Sequence, residues 1–316
     1  MTERIAILGG GSWGTALAVR LASNGHPVKV WEFFEKQATE MQQLRRCPLL
    51  PDVELSSLIT VSHQLQEVLP QSTLILVVVP SDKVESTLHT AASLIQNQNI
   101  IICSKGFAPG PQLLSDIAQK YTSGSVYCLY GPTHAEEVGL GMLSGIVLAG
   151  TGEKRHLCSL FQHPQFKVEM SNDIIGVQVS AALKNILAIF IGICDGLGLG
   201  DNAKAYIMTK GLQEITTIGR AWGADQETFY GLAGMGDVIV TCMSKHSRNR
   251  HVGEHLGRGQ TLDQILAEMK MVAEGVTTAK LIPQLEAKFN VHVPLLRGLH
   301  DILFAGKKPQ EVLEKL

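Results

Sequence analysis

The sequence predicts an α/β domain followed by an all-α domain. Three observations carry this. A strand, a glycine turn and a helix stand together at the N-terminus in "RIAILGGGSWGTALAVRLASNG". Short, continuously apolar runs such as "TLILVVVPS" and "NIIICSKG" recur through the first half, as parallel strands covered on both faces require. From Asp173 the runs lengthen and become apolar nearly all round, in "DIIGVQVSAALKNILAIFIGIC", which reads as a helix at the centre of a helical domain. A chain of 316 residues fits two domains, with the boundary expected between 1–172 and 173–316.

Hydrophobic residues make up 45% and charged residues 18%, with a formal net charge of −2. That balance argues against nucleic acid and anionic membrane surfaces as partners, so any positive field must be local. The six cysteines (47, 103, 128, 158, 194, 242) lie far apart with no C-x-x-C, and no metal site is expected. Cys103 and Cys128 fall inside strand-like runs and read as buried, inert thiols. The N-terminus mixes charges and enters a strand directly, unlike a signal peptide. No apolar run is read as reaching the roughly 20 residues of a membrane span. The expectation is a soluble, reduced, cytoplasmic protein.

In chain order, residues 4–8 form the first strand, and Gly9, Gly11 and Gly14 follow at the spacing of the dinucleotide fingerprint. The three serve a tight turn, close approach of backbone to pyrophosphate, and helix–strand packing. A helix from about Thr15 aims its free N–H groups at phosphate and stops at Asn24-Gly25. "PVKVW" completes the βαβ unit, so the first domain is a Rossmann-type doubly wound sheet. "SVYCLYGPTHAEEV" runs strand, Gly-Pro turn, helix start. "SGIVLAG" and "FKVEMS" add extra edge strands, antiparallel ones among the options. Ligands bind beyond the carboxyl ends of such strands, where Ser81, Lys105 and Gly131-Pro132-Thr133 stand. Ser81 reads as loop punctuation, and Lys105, directly before Gly106, as functional.

In the second half, amphipathic segments near 203–222, 276–289 and 294–304 surround the apolar helix. The cleft between the domains is the natural place for a site. The anomaly is Lys184. A lysine withdrawn from water loses as much as about 3–5 pKa units, and Ser180 and Ala188 at i−4 and i+4 offer it no carboxylate. Its partner must come from elsewhere. Two glycine-rich stretches, "DGLGLGDNAK" and "GLAGMGDVIVTC", each place an aspartate at a turn, the second being Asp237. Ser247 precedes Arg248, Asn249 and Arg250 as an N-cap would, and a helix start with adjoining arginine suits an anion. His251 and His255 are four apart without a third ligand. These residues suit hydride chemistry on a small anionic hydroxy or keto compound, with a desolvated ammonium meeting the developing alkoxide.

The chain resembles the NAD(P)-dependent sn-glycerol-3-phosphate dehydrogenases over essentially its full length. The motifs are "GGGSWGTALA", "VVVPS", "SKG", "GPTHAEEV", "GVQVSAALKNILAI", "DGLGLGDNAKA", "GLAGMGDVIVTC", "SRNRHVG" and "VAEGVTT", in the family's order. The resemblance implies interconversion of dihydroxyacetone phosphate and sn-glycerol 3-phosphate with NAD(P)H, supplying the glycerophospholipid backbone, in a homodimer. It implies Lys184 as the catalytic proton donor and acceptor. Substrate contacts fall on Lys105, Gly131, Thr133, Lys184, Asp237, Thr241, Ser247, Arg248 and Asn249. Cofactor contacts fall on Gly9, Gly11, Ser12, Trp13, Gly14, Phe33, Lys105, Ala135, Arg248, Val272 and Glu274, although Val272 reads equally well as a core valine. One departure stands out: many bacterial members carry a basic residue where this chain has Phe33, and Glu32 precedes it. An acid there favours the ribose 2′-hydroxyl over a 2′-phosphate, so NADH is expected to serve at least as well as NADPH, unless Glu32 points to solvent. The alternatives are a two-domain hydroxyacid or sugar-acid phosphate dehydrogenase, and an NAD(H)-sensing protein without turnover.

Overall fold

The structure is a computed structural model that describes residues 3–245, 247–269 and 273–315. The chain divides into two compact units. One runs through Ser104 and resumes over Gln112–Ile174; the other takes Lys105–Pro111 and the chain from Ile175 onward. The interleaved segment Lys105–Pro111 was not anticipated from the sequence.

The first unit holds ten strands among the described residues: β1 (Ile5–Leu8), β2 (Val28–Trp31), β3 (Arg46–Cys47), β4 (Leu50–Glu54), β5 (Ile59–Ser62), β6 (Leu74–Val77), β7 (Asn99–Ile102), β8 (Val126–Tyr130), β9 (Ser144–Ala149) and β10 (Phe166–Ser171). Eight form one sheet in the order β10-β9-β8-β7-β6-β1-β2-β5. β1 lies between β2 and β6, all parallel, with Ile5 level with Val28 and Leu74. Both β1 and β6 are buried along their whole length, which is why they read as unbroken apolar runs. β9 turns antiparallel to β8, and β10 runs parallel to β9. Of these two strands only β10 is an edge; β9 is paired on both sides, contrary to the sequence expectation. The short β3–β4 hairpin was missed, because its run is broken by Pro48 and Pro51 and lacks alternation.

The first helix spans Ser12–Ser23, three residues earlier at its start than expected. Gly11 is its N-cap and offers no side-chain oxygen, so the first N–H groups face outward unsatisfied by the cap. It ends at Asn24, with Gly25 at φ +87°. The six cysteines are all buried, and none is in a disulfide.

The second unit is helical. Its centre is Ile174–Gly196, here the lysine helix, buried without a break from Gly176 to Cys194. This corrects the reading that no run is long enough for a membrane: a window of this helix has mean hydropathy 1.9, but 89% of it is buried inside the protein. Around it lie Asp201–Trp222, Asp237–Met243 (the aspartate helix) and Arg248–Gly257 (the arginine helix). The segment expected at 276–289 is two helices, Glu274–Ala279 and Ile282–Phe289. Pro283 stands in the first turn of the second, where its missing N–H costs nothing but cannot extend the helix before it.

The lysine and arginine helices meet through glycine. A Cβ on Gly192 or Gly196 would strike the carbonyls of Arg250 and Glu254, and one on Gly253 or Gly257 would strike those of Ile189 and Ile193. Two helices with small residues four apart can bring their backbones into contact. Here that contact draws the start of the arginine helix toward the helix that carries Lys184.

Candidate active site

In the first unit the glycine turn is built as the spacing requires. Gly9 has φ +122°, and a Cβ there would lie 2.8 Å from the Val78 carbonyl group, while Gly14 packs on the Gly9 carbonyl. Gly11 faces open space. Ser12 and Trp13 form the first turn of the helix. The indole N–H of Trp13 is buried and has no acceptor among the described residues. A donor so placed, beside uncapped helix N–H groups and a glycine with room before it, fits a dinucleotide pyrophosphate.

Glu32 directly follows β2 and does not point to solvent. It is 5% exposed, accepts the Phe34 amide at 3.0 Å, and its Oε2 lies 2.7 Å from where a Gly10 side chain would begin. Burial pushes its carboxyl above the ordinary range, against the pull of the Phe34 and Gly10 amides. Phe33 is 69% exposed and stands edge-on to Trp31 and Phe34, with ring centroids 6.0 and 5.1 Å apart. Gly131 follows β8 closely enough to β9 that a Cβ would meet the Gly145 carbonyl at 2.9 Å. The Thr133 hydroxyl donates to the Gly131 carbonyl at 3.2 Å, and Ala135 opens the helix Ala135–Gly139.

In the second unit Lys184 is 3% exposed. Its ammonium donates to Asp237 Oδ1 and, at 2.7 Å, to the Thr241 hydroxyl. Asp237 and Thr241 lie one turn apart on the aspartate helix, so one short element supplies both acceptors. The second oxygen of Asp237 accepts from Lys105 at 3.0 Å. Lys105 reaches it because its loop is pinned: Phe107 stacks on Trp222 at 5.4 Å, and Lys288 sits 4.3 Å over the same indole while donating to the Pro111 carbonyl at 3.0 Å. Two ammonium groups thus share one fully buried carboxylate, leaving a positive charge in excess. Burial, reinforced by the nearby Lys105, brings the Lys184 ammonium down to about 7, even though Asp237 pulls the other way.

Ser247 is the N-cap of the arginine helix, accepting the Arg250 amide at 3.3 Å. Asn249 is buried, and its Oδ1 accepts the Gly275 amide at 2.9 Å. That bond orients the Asn249 amide, whose oxygen is the acceptor and whose NH2 can only donate. Arg248 is exposed and makes no ion pair with the described residues. Glu274 opens the helix Glu274–Ala279; Val272 lies outside the described residues. The rings of His251 and His255 lie 4.3 Å apart, tilted by 56°, and no group of three metal-ligand side chains occurs among the described residues.

The structure therefore brings Lys105, Lys184, Asp237 and Thr241 into one hydrogen-bonded centre, and sets Ser247, Arg248 and Asn249 at one helix start. Sequence reasoning gave no role to Asn185, the other polar residue of that apolar stretch, which is buried beside Lys184. It also missed the Phe107–Trp222–Lys288 clamp, for which no local signal exists.

A dinucleotide turn on a parallel sheet, joined in one chain to a desolvated lysine–aspartate centre, defines a nicotinamide-linked oxidoreductase. Residues 4–156 match the family model of the NAD-dependent glycerol-3-phosphate dehydrogenase N-terminus, and residues 173–314 match that of its C-terminus. The chain belongs to the NAD-dependent glycerol-3-phosphate dehydrogenase family. It is 42% identical over 323 residues to the glycerol-3-phosphate dehydrogenase of Geobacillus kaustophilus, covering 99% of this chain and 94% of the relative. It is 38% identical over 321 residues to that of Fusobacterium nucleatum, covering 99% and 96%. The crystal structure of glycerol-3-phosphate dehydrogenase from Coxiella burnetii superposes with a TM-score of 0.95 at 33% identity, covering 99% of this chain and 98% of that one.

Proposed function

We propose that Lys184 is the catalytic acid and base of this glycerol-3-phosphate dehydrogenase, with Asp237, Thr241 and Lys105 setting its charge and direction. The chain interconverts dihydroxyacetone phosphate and sn-glycerol 3-phosphate with NAD(P)(H). When bound, the nicotinamide supplies or accepts the hydride. In reduction, the Lys184 ammonium faces the ketone oxygen, stabilises the charge that grows on it and gives it a proton; the neutral amine then regains one from solvent. In oxidation the amine takes the alcohol proton. Asp237, bonded to both ammonium groups, keeps that of Lys184 from drifting, and Lys105 adds positive field. Ser247, Arg248 and Asn249 seat the substrate phosphate, assisted by the free N–H groups of the helix start, with Gly131 and Thr133 completing the contacts. Gly9, Gly11, Ser12, Trp13 and Gly14 would hold the cofactor, joined by Phe33, Ala135, Glu274, Lys105 and Arg248.

The observation that carries this reading is the buried Lys184–Asp237–Lys105 centre, for which a cofactor-sensing protein without turnover has no use. The test is NADH oxidation with dihydroxyacetone phosphate beside unphosphorylated dihydroxyacetone. A seat with charge-assisted bonds, each worth about 1.5–3 kcal/mol, predicts that kcat/KM for the phosphorylated ketone is higher by at least roughly a hundredfold. Equal rates would remove the phosphate seat.

We further infer that NADH serves at least as well as NADPH. The support is Glu32, held over the glycine turn, and Phe33 in place of a cation. Phe33→Arg combined with Glu32→Ala should raise relative kcat/KM for NADPH by about tenfold or more, the worth of one charge-assisted hydrogen bond. A wild-type preference for NADPH would overturn the assignment. A homodimer is supported by an apolar face of the second unit on which Tyr230, Met235, Ile239 and Met243 are exposed. Light scattering should give twice the chain mass of 34.2 kDa.

A further inference from the structure

The sequence places two arginines at the start of the arginine helix, and the fold gives them different work. Arg250 directs Nε and Nη2 at one oxygen of Asp195, both at 2.7 Å. The other oxygen of Asp195 accepts from Lys204 at 3.1 Å. Asp195 lies near the end of the lysine helix, and its side chain is 16% exposed. Arg250 is thus committed to an ion pair, whereas Arg248 is exposed and unpaired among the described residues. The pair sits where the two glycine faces cross, since Gly192 is the residue that meets the Arg250 carbonyl. Glycine faces bring backbones close but present no side-chain ridge to stop one helix sliding along the other. A charge-assisted fork is directional and can set that register.

We propose that Asp195 is a positioning residue: through Arg250 it fixes where Ser247, Arg248 and Asn249 stand relative to Lys184, so that phosphate and ketone are engaged at once. This rests on the reading of that helix start as the phosphate seat. Asp195 touches neither the reacting atoms nor the phosphate, so its effect falls on substrates that use both ends of the site.

The test is steady-state kinetics of Asp195→Asn, Arg250→Lys and Arg248→Ala on dihydroxyacetone phosphate and on unphosphorylated dihydroxyacetone. A misplacement of about 1 Å can cost roughly a hundredfold. Asp195→Asn should therefore raise KM for dihydroxyacetone phosphate by up to that factor, with kcat within a few-fold and turnover of dihydroxyacetone unchanged. Arg250→Lys, which keeps the charge but loses the fork, should fall between it and wild type. Arg248→Ala should erase the preference for the phosphorylated ketone. If Arg248→Ala raises KM while Asp195→Asn and Arg250→Lys do not, the positioning role is wrong and the seat stands. If Asp195→Asn lowers turnover of both ketones alike, the pair is merely structural. If Arg248→Ala leaves the preference intact, the seat itself fails. Should Asp195→Asn not fold, Arg250→Lys decides the question alone: an unchanged KM overturns the proposal.

Discussion

Lys184→Ala is expected to lower kcat for dihydroxyacetone phosphate reduction by roughly ten-thousandfold, the upper end for removal of a general acid, while NADH binding stays near wild type by fluorescence titration. The variant should fold, because Asp237 keeps Lys105 as a partner at 3.0 Å and no carboxylate is left buried alone. Lys184→Arg should be nearly as inactive in glycerol 3-phosphate oxidation, since a guanidinium does not give up its proton. The pH dependence follows from the lowered Lys184 ammonium, at about 7. Reduction needs the protonated form, so its kcat/KM should fall as pH rises through that value; oxidation needs the amine and should rise over the same range. The pH profiles of kcat/KM in both directions check this. Turnover of Lys184→Ala within tenfold of wild type would take the lysine out of the chemistry, as would parallel profiles in the two directions.

How far the centre was legible depends on the range of the interaction. The glycine turn is local, so the spacing of Gly9, Gly11 and Gly14 was enough to place it, and the Ser247 cap was legible for the same reason. Lys184 announced itself by being polar in an apolar helix, which predicts a partner but not its identity. The glycine-rich stretches offer three aspartates, of which Asp201 pairs with Lys204 three residues on. Asp195 is on the same helix as Lys184, roughly 16 Å further along at 1.5 Å per residue, so it cannot reach; Asp237 arrives from a separate helix and does. The arginines divide in the same way, with Arg250 taken by Asp195 and Arg248 left exposed. Two like residues a short distance apart carry no mark of which will be neutralised, because the partner is chosen by a helix crossing. Equally illegible was the allocation of Lys105–Pro111 to the helical unit. It depends on Trp222 and Lys288, more than a hundred residues away in the chain.

That crossing makes Gly253→Ala the substitution with the largest expected effect on stability. The new methyl group would be directed into the Ile189 carbonyl, with the Ile193 amide also close, at 2.8 Å. Both neighbours are backbone, inside a helix buried from Gly176 to Cys194, so neither can rotate away as a side chain would. Overpacking a core costs about 1–3 kcal/mol when side chains can adjust, and here the two helices must separate. A loss of about 3 kcal/mol or more is expected, a Tm lower by roughly 6–12 °C at about 2–4 °C per kcal/mol for chains of this order of size. Alanine's better helix propensity, worth about 1 kcal/mol over glycine, opposes this and is too small to offset it. Gly200→Ala is the control. Gly200 caps a helix at φ −75°, and a Cβ there meets nothing within 4 Å, so its cost should be about 1 kcal/mol or less. In Gly253→Ala any protein that remains folded should also show a raised KM for dihydroxyacetone phosphate, because Ser247 and Asn249 ride on the displaced helix. Thermal melts that place the two variants within 2 °C of one another would show that the helices do not meet backbone to backbone, and the route by which the fold brings Ser247, Arg248 and Asn249 toward Lys184 would have to be redrawn.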